Sequence, residues 1–229
     1  MSKEVKILGA IGIVVIAVAA IVAYSYRNSA APTVSNAPNE PVSSAINSEA
    51  LIREDSYSQG PADAKVTVVE FLDPECESCA AFGPIVKKVL KDYDGKIRLV
   101  IRYMPLHPNS LSAATFMEGA GEQGKYWQAM DKLFEKQPEW GTRHGPQHGA
   151  TQPDITVLFK KYAAELGLDM EKMNAAYSEN KYAEKIARDK SDGESIGVRQ
   201  TPTIFVNGNK LAQLSEPALK YMIDEELKK

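Results

Sequence analysis

The chain of 229 residues is 44% hydrophobic and 25% charged, which are ordinary values for a globular protein. Its formal net charge of −3 provides no basic field for nucleic acid, so we predict no nucleic-acid partner. Two cysteines are too few for a disulfide scaffold but can form one redox pair, and three histidines leave little material for a metal enzyme.

The N-terminus carries an apolar stretch that predicts a membrane anchor. Residues 7–24 are uncharged and almost wholly apolar, and this length lies at the short end of the roughly 17–25 residues of a membrane-spanning helix. Lys3 and Lys6 precede the stretch and Arg27 follows it, a bias that places the N-terminus inside. We therefore predict a single-pass protein of the plasma (inner) membrane whose C-terminal domain is extracytoplasmic or periplasmic.

A cleaved signal peptide is the alternative for the same stretch, since such peptides have the same polarity. The apolar run is longer than a usual signal-peptide core of about 7–15 residues. The small-residue candidate for cleavage at 29–31 is followed by Pro32, a poor context for cleavage. Both alternatives place the cysteines in a compartment where disulfides are made.

Composition divides the chain into three parts. Residues 1–26 form the anchor (or signal peptide), and residues 27–53, rich in Ser, Ala, Asn and Pro, are typical of a flexible linker. Within that linker, residues 50–53 are the alternative start of a short docking segment. Residues 54–229 are about one domain's worth of chain and are predicted to form the catalytic domain.

Both cysteines lie where a strand ends and a helix begins. The β-branched run 66–72 predicts a strand, helical spacing extends from residue 76 to about residue 92, and residues 96–103 predict the next strand. Strand, helix and strand over this length imply parallel pairing through a right-handed crossover. The unpaired N–H groups and partial positive charge of a helix start should stabilise the Cys76 thiolate. Cys79, one turn later on the same face, can close a disulfide onto it.

Helical spacing dominates the chain between the second strand and the last strands. We predict helices over 111–121, 126–134, 155–166, 170–177 and 181–196, with a loop over 137–152. A short strand over 203–206 then leads into Asn207-Gly208, a strong hairpin signal, with 210–214 as its antiparallel partner. A last helix is predicted over 218–227.

The strand, the C-x-x-C motif of Cys76 and Cys79, and the helix resemble the thioredoxin superfamily, and the long helical block resembles its DsbA-like branch of extracytoplasmic thiol–disulfide oxidoreductases. The resemblance implies an α/β thioredoxin fold with a helical insertion between the second strand and the cis-proline strand, preceded by a single transmembrane helix. It also implies an enzyme that needs no cofactor, acts on cysteine-containing secreted or periplasmic proteins, and is reoxidised by a quinone-linked redox partner in the membrane.

The same resemblance assigns roles outside the cysteine pair. Thr201-Pro202 is similar to the cis-proline loop, which lies against the disulfide and pairs with the extended chain of the substrate. Glu70 resembles the buried acid that moves protons for the resolving cysteine, and Arg102 on the neighbouring strand is its candidate partner. The alternative for Glu70 is an exposed strand end with a solvated carboxylate.

Two other interpretations of the cysteines compete with a redox pair. A zinc site would combine Cys76 and Cys79 with His144 and His148, but structural zinc motifs hold their halves about 12–15 residues apart, and Gly145-Pro146 breaks a helix that would align the histidines. We therefore predict no metal. A purely structural disulfide would close very little chain and add little stability.

The direction of disulfide exchange is left open by the motif itself. Glu75 and Glu77 bring negative charge close to Cys76 and should raise its pKa, which would make the disulfide a milder oxidant. Oxidase, isomerase and reductase are all compatible with the sequence. His107 is interpreted as a loop residue. The alternative function is a membrane-tethered thioredoxin-fold chaperone or binding module without redox turnover.

Overall fold

A computed structural model describes residues 48–142 and 154–229 of the chain. The predicted anchor over 7–24 and most of the linker lie outside the described residues, as do His144 and His148. In the part that is described, no helix combines the length and the apolar character needed to cross a membrane.

The described elements alternate between strands and helices at both ends of the domain, with a block of helices between them. The strands are β1 (Ser58–Gln59), β2 (Val66–Leu72), β3 (Ile97–Tyr103), β4 (Thr203–Val206) and β5 (Asn209–Lys210). The helices are α1 (Ser48–Leu51), α2 (Glu77–Asp92), α3 (Ser110–Gly121), α4 (Tyr126–Trp140), α5 (Ile155–Glu165), α6 (Met170–Ser178), α7 (Ala183–Ser195) and α8 (Glu216–Lys228).

The five strands form one mixed sheet in the order β1-β3-β2-β4-β5. β2 and β3 are parallel and pair from Val66 opposite Ile97 to Leu72 opposite Tyr103, as predicted for strands joined by a helix. β4 runs antiparallel to β2, and β1 and β5 are short antiparallel edges. Because β2 and β3 are central and covered on both faces, all their residues are buried except the half-buried Thr67 and Arg98.

Alternation along the strands separates two hydrophobic clusters. Val66, Val68 and Leu72 of β2 pack with α2 and the helical block in the larger cluster, whereas Val69 and Phe71 pack in a second cluster with Leu51 and Val198. The larger cluster continues through the helical block, where its buried side chains include Phe116, Met117, Tyr126, Leu133, Trp140, Phe159 and Tyr162. This shared core makes the insertion an integral part of the domain.

The helical prediction is confirmed for most of the block, but α4 is longer than the periodicity indicated. We predicted a loop from residue 137, whereas α4 continues through Pro138 to Trp140. Pro138 removes one backbone donor from the last turn. Burial of Trp140, which is 0% exposed and donates from its indole to the Leu133 carbonyl at 2.9 Å, offsets that loss.

The hairpin prediction is confirmed with a shorter second strand. Asn207 and Gly208 have φ values of 45° and 83°, the left-handed pair of a two-residue turn that joins Val206 to its partner Asn209. β5 ends at Lys210 rather than continuing to residue 214, because the chain turns away towards Ser215, the N-cap of α8.

Regular structure begins upstream of residue 54, where the domain was predicted to start. Residues 48–51 form α1, and Ala50 and Leu51 are each only 5% exposed. Arg53 donates to both carboxylate oxygens of Asp192 at 2.9 Å. Residues 50–53 therefore form the docking segment that was the alternative to a solvated linker, while the linker upstream of residue 48 stays a prediction.

Candidate active site

The cysteines occupy the first turn of α2. Cys76 is its N-cap residue with an extended backbone (φ −73°, ψ 120°), and Cys79 lies one turn into the helix. Cys76 is 7% exposed and Cys79 is 0% exposed, and both are free thiols. The predicted strand-to-helix position of the pair is confirmed.

The environment of Cys76 favours its thiolate. Its pKa falls from about 9 to about 5, chiefly through a hydrogen bond from the Cys79 side chain, with further contributions from Thr201 and from the N–H groups of Cys79 and Ser78. Burial opposes this fall but does not cancel it. Donors at a helix start therefore stabilise the nucleophilic sulfur, as the sequence predicted.

The expectation that Glu75 and Glu77 would raise the Cys76 pKa is wrong. Glu77 points to solvent, and the Glu75 carboxylate is buried and saturated with donors. It accepts from the N–H of Asn109 at 2.6 Å and its side chain at 3.0 Å, and from the N–H and hydroxyl of Thr142 at 2.8 Å and 2.7 Å. The Cys76 pKa is lowered in spite of this buried carboxylate, so the milder-oxidant hypothesis loses its premise.

Cys79 has the opposite character. Complete burial raises the pKa of its thiol strongly, and the hydrogen bond to Cys76 and the charges of Glu70 and Cys76 raise it further. The protonated thiol is therefore the strongly favoured form of Cys79. The two sulfurs differ in the way that an attacked cysteine and a resolving cysteine must differ.

Glu70 lies inside the domain, so the alternative prediction of a solvated carboxylate at an exposed strand end is wrong. It is 4% exposed, and burial, with the charge of Cys76, raises its pKa to about 7. Within the described residues no hydrogen-bond donor reaches its carboxylate. It lines a cavity of about 620 Å³ together with Val86, Leu90 and Met130, among others. A carboxyl with this pKa can give and take protons near neutral pH.

Arg102 is not the partner of Glu70. In the β2–β3 register Arg102 is opposite Phe71, while Glu70 is opposite Ile101, so the two charged side chains leave opposite faces of the sheet. Arg102 is 0% exposed and pairs instead with Asp189 at 2.9 Å and Asp192 at 2.6 Å. The sequence suggested that Glu70 and Arg102 are neighbours on adjacent strands. Successive side chains of a strand alternate between the two faces of the sheet, however, so these two charges lie on opposite faces.

The Thr201-Pro202 peptide bond is cis, as the resemblance implied. The loop lies against the cysteine pair, because Cys76 Sγ is 3.3 Å from the carbonyl oxygen of Thr201. The structure thus brings all five predicted site residues to one end of β2, namely Glu70, Cys76, Cys79, Thr201 and Pro202. The binding of substrate by Thr201 and Pro202 stays a prediction.

Asp73 and His107 were not predicted as site residues, although both lie beside the pair. Asp73 is 0% exposed, and its carboxylate is bonded to the ring of His107 at 2.7 Å. The signal available in the sequence was the Asp-Pro-Glu triplet directly before Cys76. In the described ranges, no three His, Cys, Asp or Glu residues form a group that could hold a metal ion.

The fold and the site define a class: a thioredoxin-like protein with a cysteine pair at the start of a helix, a cis-proline loop against it and a helical insertion. The chain belongs to the thioredoxin family, since the family model described as "Thioredoxin" matches residues 53–225.

Solved structures with the same architecture come from several bacteria. BdbD from Bacillus subtilis (oxidised) is 25% identical, with a TM-score of 0.63 over 76% of this chain and 94% of that one. A thioredoxin-like oxidoreductase from Silicibacter pomeroyi DSS-3 is 25% identical, with a TM-score of 0.65 over 80% and 99%. Alpha-DsbA1 from Wolbachia pipientis, 22% identical with a TM-score of 0.69 over 80% and 96%, shows the shared fold. The predicted enzyme class, a protein-disulfide oxidoreductase of open direction, is confirmed.

Similar curated sequences belong to much longer proteins. The Na(+)/H(+) antiporter NhaA 3 of Salinispora tropica is 35% identical over 157 residues, which are 67% of this chain and 22% of that protein. The Na(+)/H(+) antiporter NhaA of Herminiimonas arsenicoxydans is 32% identical over 158 residues, 69% of this chain and 23% of that protein. The chain thus spans less than a quarter of the length of these relatives.

Proposed function

We propose that this chain is an extracytoplasmic thiol–disulfide oxidoreductase that exchanges disulfides with cysteine-containing secreted or periplasmic proteins through Cys76-Glu-Ser-Cys79. The observation that carries the proposal is the contrast between the two sulfurs: Cys76 has a pKa of about 5 at the N-cap of α2, and Cys79 is fully buried with a raised pKa.

The reaction begins with the Cys76–Cys79 disulfide. A substrate thiolate attacks Cys76 Sγ, the bond between the two cysteines breaks, and Cys79 leaves as a thiolate. The second substrate thiolate then attacks the substrate sulfur of the mixed disulfide, and Cys76 leaves as a thiolate, which its low pKa favours. Two electrons pass from the substrate to the pair, and the substrate gains a disulfide.

Glu70 supplies the proton that Cys79 needs. The Cys79 thiolate forms in a buried place, where its charge is costly. Glu70, with a pKa of about 7, is partly protonated at neutral pH and is close enough to shift the Cys79 pKa by its charge. The cavity beside Glu70 gives water a route by which the proton is replaced.

The cis-proline loop orients the substrate. With the Thr201 carbonyl 3.3 Å from Cys76 Sγ, an extended chain pairing with the backbone of Thr201 would bring its cysteine sulfur to Cys76. A redox partner in the membrane would reoxidise the Cys76–Cys79 dithiol, and the predicted anchor over 7–24 would hold the domain near that partner.

Two cysteine variants test the proposal. Cys76→Ser should reduce thiol oxidation and insulin reduction to background, because the attacked sulfur is gone. Cys79→Ser should instead accumulate mixed disulfides at Cys76, visible as mass adducts that a reductant removes, because no resolving thiol remains. A binding module or chaperone without turnover would give the same client binding in both variants and no adduct, and that result would refute the enzyme.

A further inference from the structure

The Asp73 carboxylate beside the cysteine pair is bonded on both oxygens. Its Oδ1 accepts from the Glu75 N–H at 2.8 Å and the Ser110 hydroxyl at 2.5 Å. Its Oδ2 accepts from the Leu106 N–H at 2.7 Å and bonds the His107 Nδ1 at 2.7 Å. Four donors on two oxygens fill the acceptor sites of an ionised carboxylate, so this geometry fits an anion.

Asp73 also fixes the loop that carries the nucleophile. The N–H of Cys76 donates to the Asp73 carbonyl at 3.0 Å, and the Asp73 side chain orients the intervening Glu75 N–H. A buried anion this close to Cys76 raises the pKa of the thiol unless a cation offsets it. Among the described residues, His107 is the only basic side chain bonded to Asp73.

His107 is able to be that cation. With Nδ1 donating to Asp73, Nε2 is the atom that takes the second proton, and the side chain is 30% exposed, so water reaches it. The charged groups that face it are Asp73, Glu75 and Cys76, all from the loop before α2. Burial lowers the pKa of His107, but its bond to Asp73 and these three negative charges outweigh burial and raise the pKa above the ordinary value.

We propose that His107 is a positioning residue for disulfide exchange: seated on Asp73, its imidazolium cancels the Asp73 charge towards Cys76 and so favours the Cys76 thiolate. This inference rests on the proposed function and adds a group from a separate segment, 31 positions after Cys76 in the sequence. A cation that stabilises the thiolate stabilises the dithiol form, so protonated His107 makes the disulfide a stronger oxidant.

Linkage gives the proposal a second consequence. If the charge of His107 stabilises the Cys76 thiolate, then the thiolate must stabilise the charge of His107 by the same free energy. The His107 pKa is therefore higher in the dithiol form than in the disulfide form. As the pH rises through the His107 pKa, the cation and its support of the thiolate are lost.

The matched variants are His107→Asn and Ser110→Ala. His107→Asn keeps a donor for Asp73 but removes the charge. Ser110→Ala removes a donor from the same carboxylate and the acceptor of the His107 N–H, 3.1 Å away, without changing any charge. His107→Asn should raise the Cys76 pKa, which is measured from thiolate absorbance. It should also lower the equilibrium constant for reduction of the Cys76–Cys79 disulfide by glutathione three- to tenfold, where tenfold corresponds to about 30 mV. Ser110→Ala should change that constant less than twofold.

A pH titration of the native protein tests the same inference without any substitution. The ring-proton NMR signal of His107 should titrate at higher pH in the dithiol form than in the disulfide form. Equal shifts in both variants, or a His107 pKa that is unchanged by oxidation, would overturn the inference while leaving the proposed function standing. A native chain with an ordinary Cys76 thiol and no disulfide exchange would instead remove the proposed function itself.

Discussion

Glu70 and Asp73 are buried acids three residues apart, yet their surroundings make them chemically different. Asp73 accepts four hydrogen bonds, whereas Glu70 meets no donor among the described residues and has a pKa raised to about 7. Both carboxyls are buried, and burial raises the pKa of Glu70, where no donor among the described residues offsets it. The acid with partners shapes the loop before Cys76, and the acid without them is free to exchange a proton.

Replacing Glu70 by Gln should change stability in a pH-dependent way. The raised pKa means that Glu70 favours folding below its unfolded-state pKa near 4.5 and that this contribution is lost as the pH rises through about 7. Relative to the native chain, Glu70→Gln should therefore gain stability at pH 8 compared with pH 5, by about 2–3 kcal/mol. Chemical denaturation of the dithiol form at the two pH values measures this difference.

The same variant should slow the step that releases Cys79, because the proton donor is gone. Glu77→Gln is the control, since Glu77 is an exposed acid of the same motif. Its stability should change by less than about 0.5 kcal/mol at either pH. An identical pH dependence in the two variants would show that Glu70 is not the buried titrating acid.

Among the secondary-structure elements, two short turns determine how the strands beside the active site begin and end. α2 begins at Glu77, with Cys76 as its N-cap, because the chain leaves β2 through a tight Asp-Pro-Glu turn, and β4 is joined to β5 by the Asn207-Gly208 turn. The first device places a sulfur at a helix start, and the second fixes the register of the strand that follows the cis-proline loop. Both are encoded within a few residues.

Two glycine substitutions with opposite expected signs test these local devices. Gly208 has φ 83°, so Gly208→Ala should cost about 1–2 kcal/mol through backbone strain, since the added Cβ meets only Leu51 at 3.8 Å. Gly83 is helical in α2 and its added Cβ would meet Phe134 at 3.5 Å, so Gly83→Ala should stabilise by about 0.5–1 kcal/mol. Urea unfolding compares the two. A Gly208→Ala variant as stable as the native chain would contradict the turn geometry, and a destabilised Gly83→Ala variant would contradict the helical expectation.

Across the whole domain, a buried ion cluster joins three distant segments behind the sheet. Arg102 of β3 pairs with Asp189 and Asp192 of α7, donates to the Ala50 carbonyl at 2.9 Å, and lies over the Phe71 ring. Asp189 also accepts from the Tyr103 N–H at 3.1 Å. The cluster ties the helical insertion and the N-terminal docking segment to the strand beside the active site.

Asp189→Asn should be strongly destabilising. It leaves the fully buried Arg102 with one of its two carboxylates, and removing a partner from a buried pair costs about 3–5 kcal/mol. Asp55→Asn is the matched control, because Asp55 pairs with Arg188 at the surface and should cost at most about 1 kcal/mol. Thermal unfolding reads both, and equal small losses would mean that the cluster adds no stability.

The sequence by itself determined the local features: the β-branched strands around Cys76, most of the helices, the hairpin at Asn207-Gly208 and the position of the cysteine pair. These follow from periods of 2 and 3.6 residues and from turn chemistry, which act over a few positions. The family resemblance added the cis bond at Thr201-Pro202 and the burial of Glu70.

Only the tertiary structure decided which distant side chains meet. His107 is 34 positions from Asp73, Thr142 is 67 from Glu75, and Asp189 is 87 from Arg102. Such pairs depend on how helices pack across a sheet, and no local period encodes them. Because a pKa depends on these partners and on burial, the raised Glu70 pKa, the hydrogen bonds of Glu75 and the separation of Arg102 from Glu70 emerged only when the chain was folded.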